Sequence, residues 1–187
     1  EKIFKNPNKP VLAIIGGSKV STKLNILKKL TEKVDTIILG GGIANTFLLC
    51  SNLPIGESLA EENMVSDAKE ILRLAEKNEV YIPLPKDVVC QSSISIKNKN
   101  VSEVQEKDSI KDIGSKTSRI YEKLIGEAAT ILWNGPVGVF EDALFENGTK
   151  NIAKSIGNTK ALTIAGGGDT ISAIEKFISM EKLDYVS

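Results

Sequence analysis

VLAIIGGSKVSTK at residues 11–23 decides the fold: a β-branched apolar run stops on two glycines and is followed by lysines at 19 and 23. The pattern returns at TIILGGG (36–42), TILWNGPVG (130–138) and LTIAGGG (162–168). In a parallel sheet all these strand ends lie along one edge, and that edge is where open α/β folds bind ligands. Glycines there keep the backbone bare, so that a flat or phosphorylated group can lie against it.

Helical periodicity fills the gaps. Apolar stripes run through Val20, Leu24, Leu27 and Leu30, then through Ile43, Phe47 and Leu48, and through Val65, Ala68, Ile71, Leu72 and Ala75. Three more follow: Ile120, Tyr121, Leu124 and Ile125; Ile152, Ala153 and Ile156; Ile171, Ile174 and Ile178. Such stripes pack a core. Strands alternating with helices of this length imply right-handed crossovers and a mostly parallel sheet. Residues 84–113 break the rhythm and predict a strand with a small antiparallel excursion near 88–105. No linker, repeat or low-complexity tract interrupts the chain, which reads as one continuous domain over residues 1–187.

Composition narrows the chemistry. Lysine plus arginine equal aspartate plus glutamate at 24 each, which disfavours a nucleic-acid partner. No apolar stretch approaches the roughly 20 residues of a bilayer span, and the N-terminus lacks an apolar signal core, so no membrane partner is expected. Cys50 and Cys90 form no CxxC pair and read as reduced thiols in a cytoplasmic protein. Histidine is absent, which removes Ser–His and Cys–His nucleophiles and the commonest metal sites. Phosphoryl transfer, which works by positioning and charge, survives that exclusion.

Two nucleotide fingerprints fail. GxxxxGK[ST] does not occur, and in the second glycine loop Asn45 stands where GxGxxG needs its third glycine. That strand also ends in Gly40 rather than the acidic residue that holds an NAD ribose, so a dinucleotide enzyme is disfavoured.

The individual residues leave alternatives. With a helix beginning near Val20, Lys19 and Lys23 sit around its first turn, four residues apart. There they oppose the helix dipole unless an anion is bound; the other reading is a solvated lysine pair. Asp169, after three glycines, stands where a helix N-cap belongs and serves as cap alone or as cap and Mg²⁺ ligand. Glu141 ends an apolar stretch, either as a solvated residue or as the acceptor for a ribose diol. Trp133 reads as core.

GGSKVSTK, GGGIANTF, WNGPVGVFE and AGGGDT, in this order and spacing, closely resemble the C-terminal half of bacterial-type phosphoglycerate kinases, over essentially the whole chain. The resemblance implies a three-layer α/β/α, doubly wound, Rossmann-like nucleotide-binding domain with ATP/ADP and Mg²⁺ as cofactors. It implies catalytic roles for Lys19 and Lys23 on the phosphates. Gly17 and Ser18 would join them, with Gly40, Gly41 and Gly42 against the adenine. Asn134, Gly135, Pro136, Val139 and Phe140 would flank the nucleoside, with Glu141 on the ribose. Gly167, Gly168 and Thr170 would surround the phosphates, and Asp169 would ligate Mg²⁺.

The family's activity, phosphoryl transfer between 1,3-bisphosphoglycerate and ADP in glycolysis, uses an N-terminal substrate domain for 3-phosphoglycerate or 1,3-bisphosphoglycerate. No match to that domain is present here, and EKIFKNPNKP resembles the end of the interdomain helix. The family also continues past Tyr185-Val186-Ser187 into a glycine-rich turn and a last helix. A cytoplasmic, monomeric parent is expected, and this half alone is expected to be inactive. Lys111 departs from the apolar residue often found near the adenine. A binding module without chemistry of its own is the alternative.

Overall fold

The computed structural model describes residues 7–93 and 95–187. The reading of the first residues as the end of a helix falls outside them.

The first apolar run forms β1 (Val11–Ile15), all of it buried. It lies in a five-stranded parallel sheet with β2 (Thr36–Leu39), β6 (Thr130–Asn134), β7 (Leu162–Ala165) and β8 (Tyr185–Val186), in the order β2-β1-β6-β7-β8. A separate antiparallel sheet of β3 (Asp87–Gln91), β4 (Ile96–Asn100) and β5 (Ser109–Ile113) is ordered β4-β3-β5. The antiparallel insertion is therefore broader than residues 88–105. β5 pairs with β3 through a register shift between Val89 and Cys90, so its short run gives no clean alternation in the sequence.

Six α-helices occupy the described residues: α1 (Leu24–Leu30), α2 (Gly41–Cys50), α3 (Val65–Lys77), α4 (Ser115–Glu127), α5 (Asn147–Asn158) and α6 (Gly168–Phe177). Successive side chains of β1 point to opposite faces. Val11, Ala13 and Ile15 pack with Leu27, Phe47, Ala68 and Ile71 of α1–α3. Leu12 and Ile14 join Trp133, Tyr121, Ile125, Ile152 and Ile174 on the side of α4–α6. This is a three-layer, doubly wound α/β/α domain, as the alternation requires. Trp133 is 1% exposed and donates its indole N–H to the Gly135 carbonyl at 3.0 Å, as a core residue.

The chain runs outward from β1 to β2 and later returns to the other side of β1 at β6. The point of reversal therefore lies between the C-terminal ends of β1 and β6, where a crevice is expected. A third, smaller cluster, with Leu48, Val88, Cys90, Val101 and Val104, fixes the antiparallel sheet against the end of α2. Cys50 and Cys90 are free and buried, and burial pushes the Cys90 thiol up to about 11.

Candidate functional site

At the reversal point the backbones meet with no room for a side chain. A Cβ on Gly16 would strike the Pro136 carbonyl, and one on Gly135 would strike Gly16. Gly41 has φ +63°, and a Cβ there would lie 2.7 Å from the Gly17 carbonyl. These glycines let the loops after β1, β2 and β6 stack directly on one another. A cavity of about 340 Å³ opens beside them, within the range of small-molecule sites.

One wall of the cavity is Gly17, Ser18, Gly41 and Gly42; Pro136, Val137, Gly138 and Val139 continue it. The facing wall comes from Leu59, Pro85, Val88 and β5 residues Ser109 to Ile113. Val139 N–H donates to the Lys111 carbonyl at 2.8 Å and so joins the two walls. Glu141 and Asp169 also line the cavity. A second hollow, lined by Glu122, Asn151, Lys154 and Asn158 among others, lies at the N-terminal ends of the strands, away from every glycine loop.

Lys19 and Lys23 are not on a first helical turn. α1 begins only at Leu24, and Lys23 is its N-cap with no side-chain cap bond. The intervening loop is held by Glu61, which accepts from the Ser21 N–H at 2.9 Å and the Ser21 hydroxyl at 2.6 Å. Those bonds tie the turn before α1 to Glu61, and a backbone bond from Lys23 N–H to the Val20 carbonyl at 2.9 Å closes it. Burial acts against the Glu61 carboxylate, but the Ser21 donors outweigh it and hold the group below its ordinary range. Lys23 Nζ donates to Asn134 Oδ1, and Asn134 Nδ2 donates to the Gly166 carbonyl at 2.8 Å. Lys23 is thus held by a neutral amide and makes no ion pair among the described residues.

Asp169 is also displaced from its expected place. The N-cap of α6 is Gly167, at φ 99°, and Asp169 lies in the helix's first turn. The third glycine, Gly168, opens the helix, and nothing lies within 4 Å of a Cβ built there, so neighbouring atoms do not require glycine at that position. Asp169 is exposed, where a carboxylate favours the helix dipole and also faces the cavity.

The structure thus gathers Gly17, Ser18, Gly41, Gly42, Pro136, Val139, Glu141 and Asp169 around one cavity. It leaves others outside the lining. Gly40 is buried against Val137, and Gly135 donates its N–H to Thr170 Oγ1 at 2.8 Å. Thr170 itself is 1% exposed, while Gly167 and Gly168 are exposed beside the start of α6. Phe140 faces the core rather than the cavity: it is 4% exposed and stacks edge-on against Phe177 at 6.3 Å.

The sequence reading missed Asn45, Leu59, Val88, Ile110 and Asp112 as lining residues. Asn45 carried a usable signal, since it falls one turn after Gly41 on the same face of α2. Asp112 is 2% exposed and accepts from Gly148 N–H at 2.7 Å and its neighbour Ile113 N–H at 2.9 Å. Burial pushes its carboxyl up to about 7 despite those donors. Asp87, also buried, goes the other way. Desolvation would raise it, but donors from Asn98, Thr117 and Lys116 outweigh that and lower it.

Fold and site together define a class: a doubly wound α/β domain with a glycine-walled ligand cavity at the strand-order reversal. The family model for phosphoglycerate kinase matches residues 1–187. The chain is 48% identical over 192 aligned residues to a phosphoglycerate kinase of Francisella philomiragia, and 43% identical over 191 to one of Desulfovibrio desulfuricans. It is fully covered in both alignments and spans 49% of each relative's length. The phosphoglycerate kinase structure from Coxiella burnetii superposes with a TM-score of 0.95 at 44% identity, covering all of this chain and 49% of that one. The one from Pyrococcus horikoshii gives 0.85 at 27% identity, covering all of this chain and 48% of its own length. The chain belongs to the phosphoglycerate kinase family.

Proposed function

We propose that residues 1–187 are the nucleotide-binding half of a phosphoglycerate kinase, taking ATP or ADP at the glycine-walled cavity. The observation that carries this reading is the placement of the cavity. It lies at the strand-order reversal, with Glu141 and Asp169 in its lining and the Lys23–Asn134 pair beside the same strand ends. The base lies between the two walls, Glu141 accepts from the ribose, and the phosphates run toward Lys19, Lys23 and the start of α6.

Phosphoryl transfer asks the protein for position and charge compensation rather than for a base. Lys23 suits that task because a neutral amide, not a carboxylate, orients it. Gly167 and Gly168 let the first N–H groups of α6 approach the phosphates without a side chain between.

The residues fit a magnesium ion brought in by the nucleotide. Asp169 offers one exposed oxygen ligand, and Mg²⁺ is held typically by one or two carboxylates with phosphates and waters. Among the described residues no group of three or more acidic, cysteine or histidine side chains could hold a metal unaided. When bound, the ion would offset the charge of the phosphates.

The whole reaction passes phosphoryl between 1,3-bisphosphoglycerate and ADP in glycolysis, in the cytoplasm, by a monomer with a separate phosphoglycerate-binding domain. No helix among the described residues is long and apolar enough to cross a membrane. Residues 1–187 alone are expected to give no turnover, because substrate positioning is worth about 7–11 kcal/mol. Calorimetry with Mg-ADP tests the binding reading: heat is expected from the native protein and a loss of about tenfold or more in affinity from Lys23→Ala. Absence of heat at millimolar nucleotide overturns it.

A further inference from the structure

Glu61 lies outside the cavity lining, yet it is bonded to two of the segments that build the site. Its backbone N–H donates to Thr46 Oγ1 at 3.0 Å, and the buried Thr46 hydroxyl donates to the Gly42 carbonyl at 2.9 Å. Two residues earlier, the Leu59 carbonyl accepts from Asn45 Nδ2 at 3.0 Å. The segment carrying Glu61 is therefore docked on the turns of α2 that belong to the glycine wall. From that base the side chain crosses to the segment between Gly17 and α1. Both of its oxygens are used there, one on the Ser21 N–H and one on the Ser21 hydroxyl. Ser21 stands midway between Lys19 and Lys23, and neither lysine makes an ion pair among the described residues. Lys19 is close enough for its charge to act on the Glu61 carboxylate. The carboxylate nevertheless grips the residue between the two cations and leaves both of them free.

We propose that Glu61 is a positioning residue: through Ser21 it holds the segment bearing Lys19 and Lys23 in place for the phosphates, without itself meeting the nucleotide. The proposal rests on the nucleotide reading above and goes beyond it by naming what sets the two lysines. The other supports of that segment are local. Val20 is buried, Lys23 N–H closes a turn on the Val20 carbonyl, and Thr22 Oγ1 donates to the Lys19 carbonyl at 2.9 Å. These shape the turn, while the Glu61 bonds tie it to α2. The chemistry gives the proposal a sign. A carboxylate near bound phosphates repels them, so on charge alone its removal tightens nucleotide binding. On positioning, its removal loosens the lysines, and ordering them on binding then costs affinity.

The test is calorimetric titration with Mg-ADP, and with adenosine by displacement, since adenosine carries no phosphate for the lysines to meet. In Glu61→Ala, with its fold checked by circular dichroism, Mg-ADP should bind about threefold to fivefold more weakly, a modest loss because the bonds are exposed. Adenosine affinity should stay within about twofold of the native value. Adding Ser21→Ala to Glu61→Ala should cost no more, because the partner of the hydroxyl is already gone. Glu61→Gln removes the charge but keeps an oxygen for the Ser21 N–H, and its amide donates to Ser21 Oγ. It should bind Mg-ADP within about twofold of the native protein, or more tightly. Mg-ADP bound equally or more tightly by Glu61→Ala overturns the proposal, as does an equal loss for ADP and adenosine. A further loss on adding Ser21→Ala also overturns it, because the effect then does not run through Ser21. A severalfold loss in Glu61→Gln does the same, even where Glu61→Ala fails to fold. Failure of the native protein to bind Mg-ADP overturns the underlying nucleotide reading instead.

Discussion

The two walls of the cavity are built by opposite means. The wall at the ends of β1, β2 and β6 is largely backbone: Gly17, Gly41, Gly42 and Gly138 line it, and Gly16 and Gly135 stack behind it. The facing wall is made of side chains, from Leu59, Pro85, Val88 and β5, brought together by an antiparallel insertion. A backbone wall constrains which residue may stand at each position. A side-chain wall constrains only the surface that several distant residues make together. The first is therefore intolerant and the second adjustable, which gives an ordered series of expected effects.

The largest falls on the glycine wall. Gly16→Ala drives a methyl group into the Pro136 carbonyl, a backbone atom that cannot swing aside. A loss of about 3 kcal/mol is expected, or about 6–12 °C in Tm by differential scanning calorimetry. A change below about 1 °C would show that the loops do not depend on this stacking.

Next come two of the three buried aspartates, Asp112 and Asp87. Asp112 has its pKa raised to about 7 by burial, so the folded state holds a proton that the unfolded state has released above about pH 4. Its contribution is fully present below the unfolded value and is lost as pH rises toward 7. Asp87 is lowered, and its contribution is present at neutral pH and lost only as pH falls below about 4. Urea unfolding at pH 5 and pH 8 should therefore show native stability falling between them through Asp112, and a shallower fall in Asp112→Asn. Asp87→Asn should leave that slope unchanged. Parallel slopes for the native protein and Asp112→Asn would contradict the assignment.

Leu59, 57% exposed, should follow the side-chain pattern. Leu59→Ala is expected to change stability by less than about 0.5 kcal/mol while weakening ADP by about threefold to fivefold, through lost apolar cover on the base. The smallest effect belongs to Lys111. If its alkyl stem supplies the wall, Lys111→Leu keeps ADP affinity within about threefold in calorimetry. A larger change would make the ammonium, not the stem, the contact.

The same contrast explains what could be read from the sequence. All four glycine-ended runs became parallel strands with their ends along one edge, because close backbone approach leaves a compositional mark at each position. The six helical stripes were legible too, although Ile178 of the sixth lies just past α6 in extended backbone. The start of α1 was not: Val20 keeps the apolar period and is buried, but the helix begins only at Leu24, and the turn before it is tied to Glu61, forty residues away from Ser21. Asp169 was placed at a cap because nothing local told the second glycine from the third; Gly167 takes the positive φ and Gly168 enters the helix. Phe140 sits within a glycine-bearing loop and points inward, a choice made by Phe177 on α6. Leu59 and β5 carry no local signal for one another, since their meeting depends on how the insertion folds back.

A structure of the protein with Mg-ADP bound tests the central claim most directly. The base should lie between Gly41–Gly42 and the Leu59–β5 wall, with the phosphates directed to Lys23 and the metal at Asp169. Nucleotide bound elsewhere, for example at the polar hollow between α4 and α5, with the glycine-walled cavity vacant, would contradict it.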